Sequence, residues 1–129
     1  MNLFKKIHHI AIICANYEAS KKFYTEFLGL KIERENFRKD RNSYKLDLSL
    51  NGEYVIELFS FPQTPKRLSR PEATGLRHLA FEVDNILEAT RYLEKNNIIF
   101  EPIRIDEYTN KKFTFFSDPD QLPIELYEK

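Results

Sequence analysis

Four residues have the types and spacing to hold a divalent cation: His9, Glu57, His78 and Glu125. His9 opens the run His9-Ile10-Ala11-Ile12, and His78 opens His78-Leu79-Ala80-Phe81. Each Glu sits in the same tripeptide, Ile56-Glu57-Leu58 and Ile124-Glu125-Leu126, and the His-to-Glu separations in the two copies differ by a single residue. Neutral imidazoles and carboxylates suit nickel, zinc, iron or manganese, and four of them on a six-coordinate ion would leave two positions open. Each residue alone has a plainer reading. A Glu between Ile and Leu marks the solvent side of a half-buried strand, and a His on a strand is more often a bystander than a ligand. Solvation gives no reason for the same pair to recur, whereas chelation does.

The elements around these residues also recur. In the first copy, His8–Ile13 reads as a β-branched strand and Asn16 as a helix N-cap. Phe23, Tyr24, Phe27 and Leu28 then form one apolar face of a helix. Gly29 fits its left-handed C′ position, and Leu30–Glu35 is a strand. Tyr44–Leu50 and Glu53–Phe59 are strands joined by Asn51-Gly52, a two-residue hairpin signal. In the second copy the order is strand Arg77–Val83, then a helix capped by Asn85 with Glu88 three residues on. Strands Ile98–Arg104, Lys112–Phe116 and Leu122–Tyr127 follow. The expected fold is α+β, two βαβββ modules over about 1–66 and 67–129, with Pro62 to Arg67 as the linker. Side chains alternate along a strand. Tyr54, Ile56 and Leu58 should therefore share the core face and Glu57 the other. His8 should point away from His9.

Composition narrows the function. The 129 residues, 42% hydrophobic with eleven Phe and seven Tyr, suffice for one domain. Twenty basic and twenty acidic side chains cancel, leaving no footprint for nucleic acid or an anionic membrane. No apolar run reaches transmembrane length and no leader is legible. With Cys14 as the single cysteine, a reducing cytoplasm is the expected location. Three glycines allow no phosphate-binding loop, and no cationic neighbour activates Cys14. Arg38, Arg41, Tyr44 and Lys45 could bind a carboxylate or phosphate, but read more simply as a solvated loop and strand edge.

At these motifs, together with Asn16 to Tyr24, Phe27-Leu28-Gly29-Leu30, Gly75 to Phe81 and Asp118-Pro119-Asp120, the chain resembles the vicinal-oxygen-chelate superfamily, and within it glyoxalase I-like proteins. The resemblance implies paired βαβββ modules curving into a half-barrel around one divalent ion, nickel or zinc first, with cobalt, manganese or iron also compatible. It implies His9, Glu57, His78 and Glu125 as ligands and Glu125 as the base. The reaction would be that of a lactoylglutathione lyase-like enzyme, isomerising the hemithioacetal of a small α-oxo-aldehyde, or a related oxygenated substrate, through a metal-bound enediolate. A homodimer is expected too, with the site either within one chain or shared between two. Glutathione-dependent relatives carry an Arg where Ile13 stands and an Asn where Phe61 stands, so glutathione as the thiol is in doubt. The alternatives are a small-ligand binding protein without chemistry and a metal-dependent dioxygenase. Glu57 argues against the latter, because dioxygenases of the superfamily resemble a two-His, one-Glu pattern.

Overall fold

The computed structural model describes residues 2–129. In the first half, β1 (Ile10–Cys14) leads into α1 (Tyr17–Lys22), and β2 (Lys31–Arg38), β3 (Ser43–Leu50) and β4 (Glu53–Ser60) follow. The second half repeats the order with β5 (Leu79–Val83), α2 (Ile86–Lys95), β6 (Arg104–Ile105), β7 (Lys112–Ser117) and β8 (Pro123–Glu128). The first compact unit ends at Lys66, and the second runs from Arg67 to Lys129. Each unit has its own four-stranded sheet, in the order β1-β4-β3-β2 and β5-β8-β7-β6. In both, the first strand lies parallel to the last and the remaining pairs are antiparallel. The α+β class and the curved-sheet βαβββ pattern expected from the sequence are the ones observed.

Local chemistry sets the boundaries. Asn16 adopts extended backbone and its side chain accepts the Ala19 N–H at 3.1 Å, starting α1. Phe23–Phe27 continue that helix as a π-helical turn. Gly29, at φ +79°, then turns the chain into β2, as only a residue without Cβ does cheaply. Asn85 caps α2 in the same way, accepting from Glu88 N–H at 3.0 Å. Asn51 and Gly52 both have positive φ, which the two-residue turn between β3 and β4 requires.

One face of each sheet is apolar and covered. In the first unit Ile12, Cys14, Leu46, Leu48, Ile56 and Leu58 are buried, with Tyr24 fully enclosed on the helical side. The Cys14 thiol donates to the Phe59 carbonyl at 3.3 Å. In the second unit Phe116, Ile124 and Leu126 are buried along with Ile86, Thr90 and Leu93 of α2. The other face of each sheet carries the polar candidates. Among the described residues no helix is long and apolar enough to cross a membrane.

Three expected strands are corrected. Ile98–Arg104 is not a strand: β6 keeps only Arg104 and Ile105. Pro102 has no N–H to give to a ladder, and the segment attaches to β7 instead through Glu101 N–H to Phe115 O at 2.9 Å and the Thr114 hydroxyl to Glu101 O. The first strands of both units start later than expected, at Ile10 and Leu79, so His8, His9 and His78 stand just before their strands.

Candidate metal centre

In the first unit Glu57 lies mid-strand on β4, in register with Ala11 of β1 and Asp47 of β3. The chain entering β1 places His9 beside it, with Nε2 at 3.2 Å from Glu57 Oε2. In the second unit Glu125 of β8 is in register with Ala80 and Phe115, and His78 Nε2 lies 3.3 Å from Glu125 Oε1. The structure therefore brings the sequence candidates together in pairs, one pair per unit, through the same atoms and the same topology. Neither unit by itself gathers three His, Cys, Asp or Glu side chains around one point among the described residues.

The donor set fits a divalent ion. Two cis ligands at about 2.1 Å from a metal stand about 3 Å apart, and both N···O separations are close to that edge. Both carboxylates are mostly shielded from water, at 13% and 15% side-chain exposure, and therefore costly to leave without a counter-charge. His78 Nδ1 is buried with no hydrogen-bond partner among the described residues, and its ring stands edge-on to Phe115 at 5.0 Å.

The surroundings of the two pairs differ. Around Glu57 they are polar. The Tyr54 hydroxyl donates to Glu57 Oε2 at 2.5 Å and also lies 3.1 Å from Asp47 Oδ1. Lys45 Nζ donates to the same Asp47 oxygen at 2.9 Å and stands 3.7 Å from Glu57. Asp47 is only 2% exposed, and Arg34 reaches its other oxygen at 3.6 Å. Burial, and then the hydrogen bonds to Glu57 and Asp47, push the Tyr54 phenol well above its ordinary range, so it stays a donor. The Tyr54 ring stacks parallel on His9 at 5.3 Å. Around Glu125 the surroundings are aromatic: Phe115 and Phe113 occupy the positions on β7 that pair with Glu125 and Tyr127.

Three sequence expectations fail here. His8 does not point away from His9: their Nδ1 atoms are 2.8 Å apart, and His8 is edge-on to Tyr54. Strand alternation does not govern His8, because β1 begins at Ile10. Tyr54 does not join the core face with Ile56. The register shift opposite Leu48 and Ser49 breaks the alternation, so its hydroxyl reaches Glu57 and Asp47. Lys45 is not a solvated edge charge but part of the Asp47–Glu57 network. Asp47 belongs to no motif named above; its one signal in the sequence is a carboxylate set between Leu46 and Leu48, on a strand next to that of Glu57.

With the fold and this constellation in hand, the class is that of a paired βαβββ protein with a His–Glu pair in each unit. Residues 6–126 match the Glyoxalase/Bleomycin resistance protein/Dioxygenase superfamily, and the chain belongs to that family. It is 61% identical over 127 residues to the protein YwkD of Bacillus subtilis (strain 168), covering 98% of this chain and 99% of that one. It superposes on the crystal structure of the glyoxalase family protein from Enterococcus faecalis with a TM-score of 0.92 at 51% identity, covering 98% of this chain and all of that one. The lactoylglutathione lyase of Schizosaccharomyces pombe is 29% identical over 143 residues, with 94% of this chain matched to 46% of that enzyme.

Proposed function

We propose that the chain is a metal-dependent lyase or isomerase of glyoxalase I type, acting on the hemithioacetal of a small α-oxo-aldehyde or a closely related oxygenated substrate. The observation that carries this reading is the duplicated pair: a His Nε2 and a Glu carboxylate oxygen at 3.2 and 3.3 Å in two units of the same topology. His9, Glu57, His78 and Glu125 would hold one divalent ion, nickel or zinc, as the two halves of a single functional domain. The protein would act as a homodimer. Bound there, the ion would supply Lewis-acid stabilisation of negative charge on two adjacent substrate oxygens.

The chain's own residues divide the remaining work. Glu57 is held in place by Tyr54 and faces the Lys45 ammonium. Both features fix its position, which suits a ligand more than a proton carrier. Glu125 has the His78 imidazole and an aromatic strand beside it. It is the freer carboxylate to swing toward a carbon-bound proton, remove it and return it to the neighbouring carbon. The lactoylglutathione lyase relative supports the reaction class. Ile13 and Phe61, where glutathione-dependent relatives carry Arg and Asn, weigh against glutathione as the thiol.

The test compares Glu125→Gln with Glu57→Gln at measured metal occupancy, using hemithioacetals of methylglyoxal with several thiols. Glu125→Gln should abolish turnover and solvent-proton exchange beyond its loss of metal, and Glu57→Gln should lose activity in proportion to metal. Full activity of both variants at full loading would refute the proposal.

A further inference from the structure

Each unit has an arginine lying on two phenyl rings. In the second unit, the Arg104 guanidinium sits over Phe113 at 4.9 Å and Phe115 at 5.9 Å, and its Nη2 donates to the Glu101 carboxylate at 2.7 Å. In the first unit, the Arg38 guanidinium sits over Phe59 at 4.9 Å and Phe61 at 5.8 Å, and those two rings are nearly parallel. Among the described residues Arg38 has no carboxylate partner. Its Nη2 donates to Ser43 Oγ at 2.8 Å, and Nε–H is buried with no partner. Two other cations of this sheet, Lys45 and Arg34, both pair with Asp47.

Position ties Arg38 to the candidate centre. Arg38 is in register with Ser43, Lys45 with Phe59 and Asp47 with Glu57, so all share the face that presents Glu57. Phe59 and Phe61 lie two and four residues beyond Glu57, which places the guanidinium roughly 7–13 Å along the strand from that carboxylate. A guanidinium seated over aromatic rings is pre-organised to meet a planar two-oxygen acceptor. An unmatched N–H on a shielded cation is costly, and a carboxylate from outside the protein would offset that cost.

We infer that Arg38, clamped by Phe59 and Phe61, receives a carboxylate of the substrate. The substrate class is then an oxygenated compound bearing an acid group several bonds from the oxygens that face the metal. This inference rests on the metal-site reading proposed above and narrows its substrate. Arg104 already has its carboxylate, in Glu101. Arg38 lacks the equivalent.

The experiment uses the full-length, metal-loaded protein and calorimetric titration with acetohydroxamate, with the monohydroxamates of succinate, glutarate and adipate, and with the methyl esters of those three acids. At least one acid should bind tenfold or more tighter than its own ester. Arg38→Gln should erase that preference and leave acetohydroxamate binding within twofold. Arg38→Lys should not restore it, because an ammonium cannot stack as a planar fork. Equal binding of acids and esters to the wild type, or a preference that survives Arg38→Gln, would overturn the inference while acetohydroxamate binding left the metal site standing. If no hydroxamate binds, the metal-site reading fails. The Arg38 Nε–H resonance, followed during titration of metal-free protein with glutarate, then decides separately: a saturable shift upholds the anion site, and no shift refutes it.

Discussion

Replacing Tyr54 by Phe isolates one hydroxyl at the edge of the candidate centre. The ring that stacks on His9 is retained, and what is removed is one proton shared unequally between Glu57 at 2.5 Å and Asp47 at 3.1 Å. A hydrogen bond to a charged acceptor contributes about 1.5–3 kcal/mol. Lys45, already 2.9 Å from Asp47 and 3.7 Å from Glu57, offsets part of the loss by screening the two cross-strand carboxylates. The expected cost is therefore about 2 kcal/mol, or roughly 6–8 °C in Tm for a chain of this length. Urea unfolding followed by circular dichroism would measure it. Because the hydroxyl orients a candidate ligand, metal affinity should also fall, by about 10- to 100-fold. The coupling of Tyr54→Phe with Asp47→Asn should exceed about 1 kcal/mol in a double-mutant cycle, since both residues act in one network. A stability change below about 0.5 kcal/mol together with unchanged metal affinity would show that the hydroxyl does not hold Glu57, and the proposed division of roles between the two carboxylates would lose its basis.

Two further predictions concern the scaffold. The Lys21 ammonium, then the Tyr17 hydroxyl, hold the Glu35 carboxyl below its ordinary range. Its stabilising contribution is present above the unfolded-state pKa of about 4.3 and is lost as pH falls through the lower folded value. Glu35→Gln should thus cost about 0.5–1 kcal/mol at pH 7, as befits a partly exposed pair, and progressively less as pH falls through the folded value, as read from Tm against pH. Ile124, with 0% exposure beside the Glu125 position, should cost about 2–5 kcal/mol on replacement by Ala, because the enclosed site cannot close around the deletion. A loss under 1 kcal/mol in denaturant titration would contradict the packing described for the second sheet.

The fold was legible because its signals are local and repeated. Asn16, Asn85, Gly29 and Asn51-Gly52 each fix a boundary by their own stereochemistry, and the structure uses all of them as read. The His–Glu pairing within each unit was legible from repetition. The network around Glu57 was not, and the reason is register. One bulge in the β3–β4 ladder moves Tyr54 from the expected core face to the carboxylates, and nothing in the order Glu53-Tyr54-Val55 announces a bulge. Strand alternation does not reach His8 either, because His8 lies two residues before β1. In the sequence Arg38 is one member of a charged cluster with Arg41, Tyr44 and Lys45. Its distinction, two aromatic faces and no carboxylate, depends on Phe59 and Phe61 lying two strands away.

The central claim is that His9, Glu57, His78 and Glu125 form one metal site, and metal content tests it most directly. Protein purified without added metal, reconstituted with nickel or zinc and desalted, should retain about one divalent ion per chain by elemental analysis. His9→Ala and His78→Ala should each lose most of it while keeping the wild-type circular dichroism. Undiminished metal in both variants, or no retained metal in the wild type, would contradict the claim.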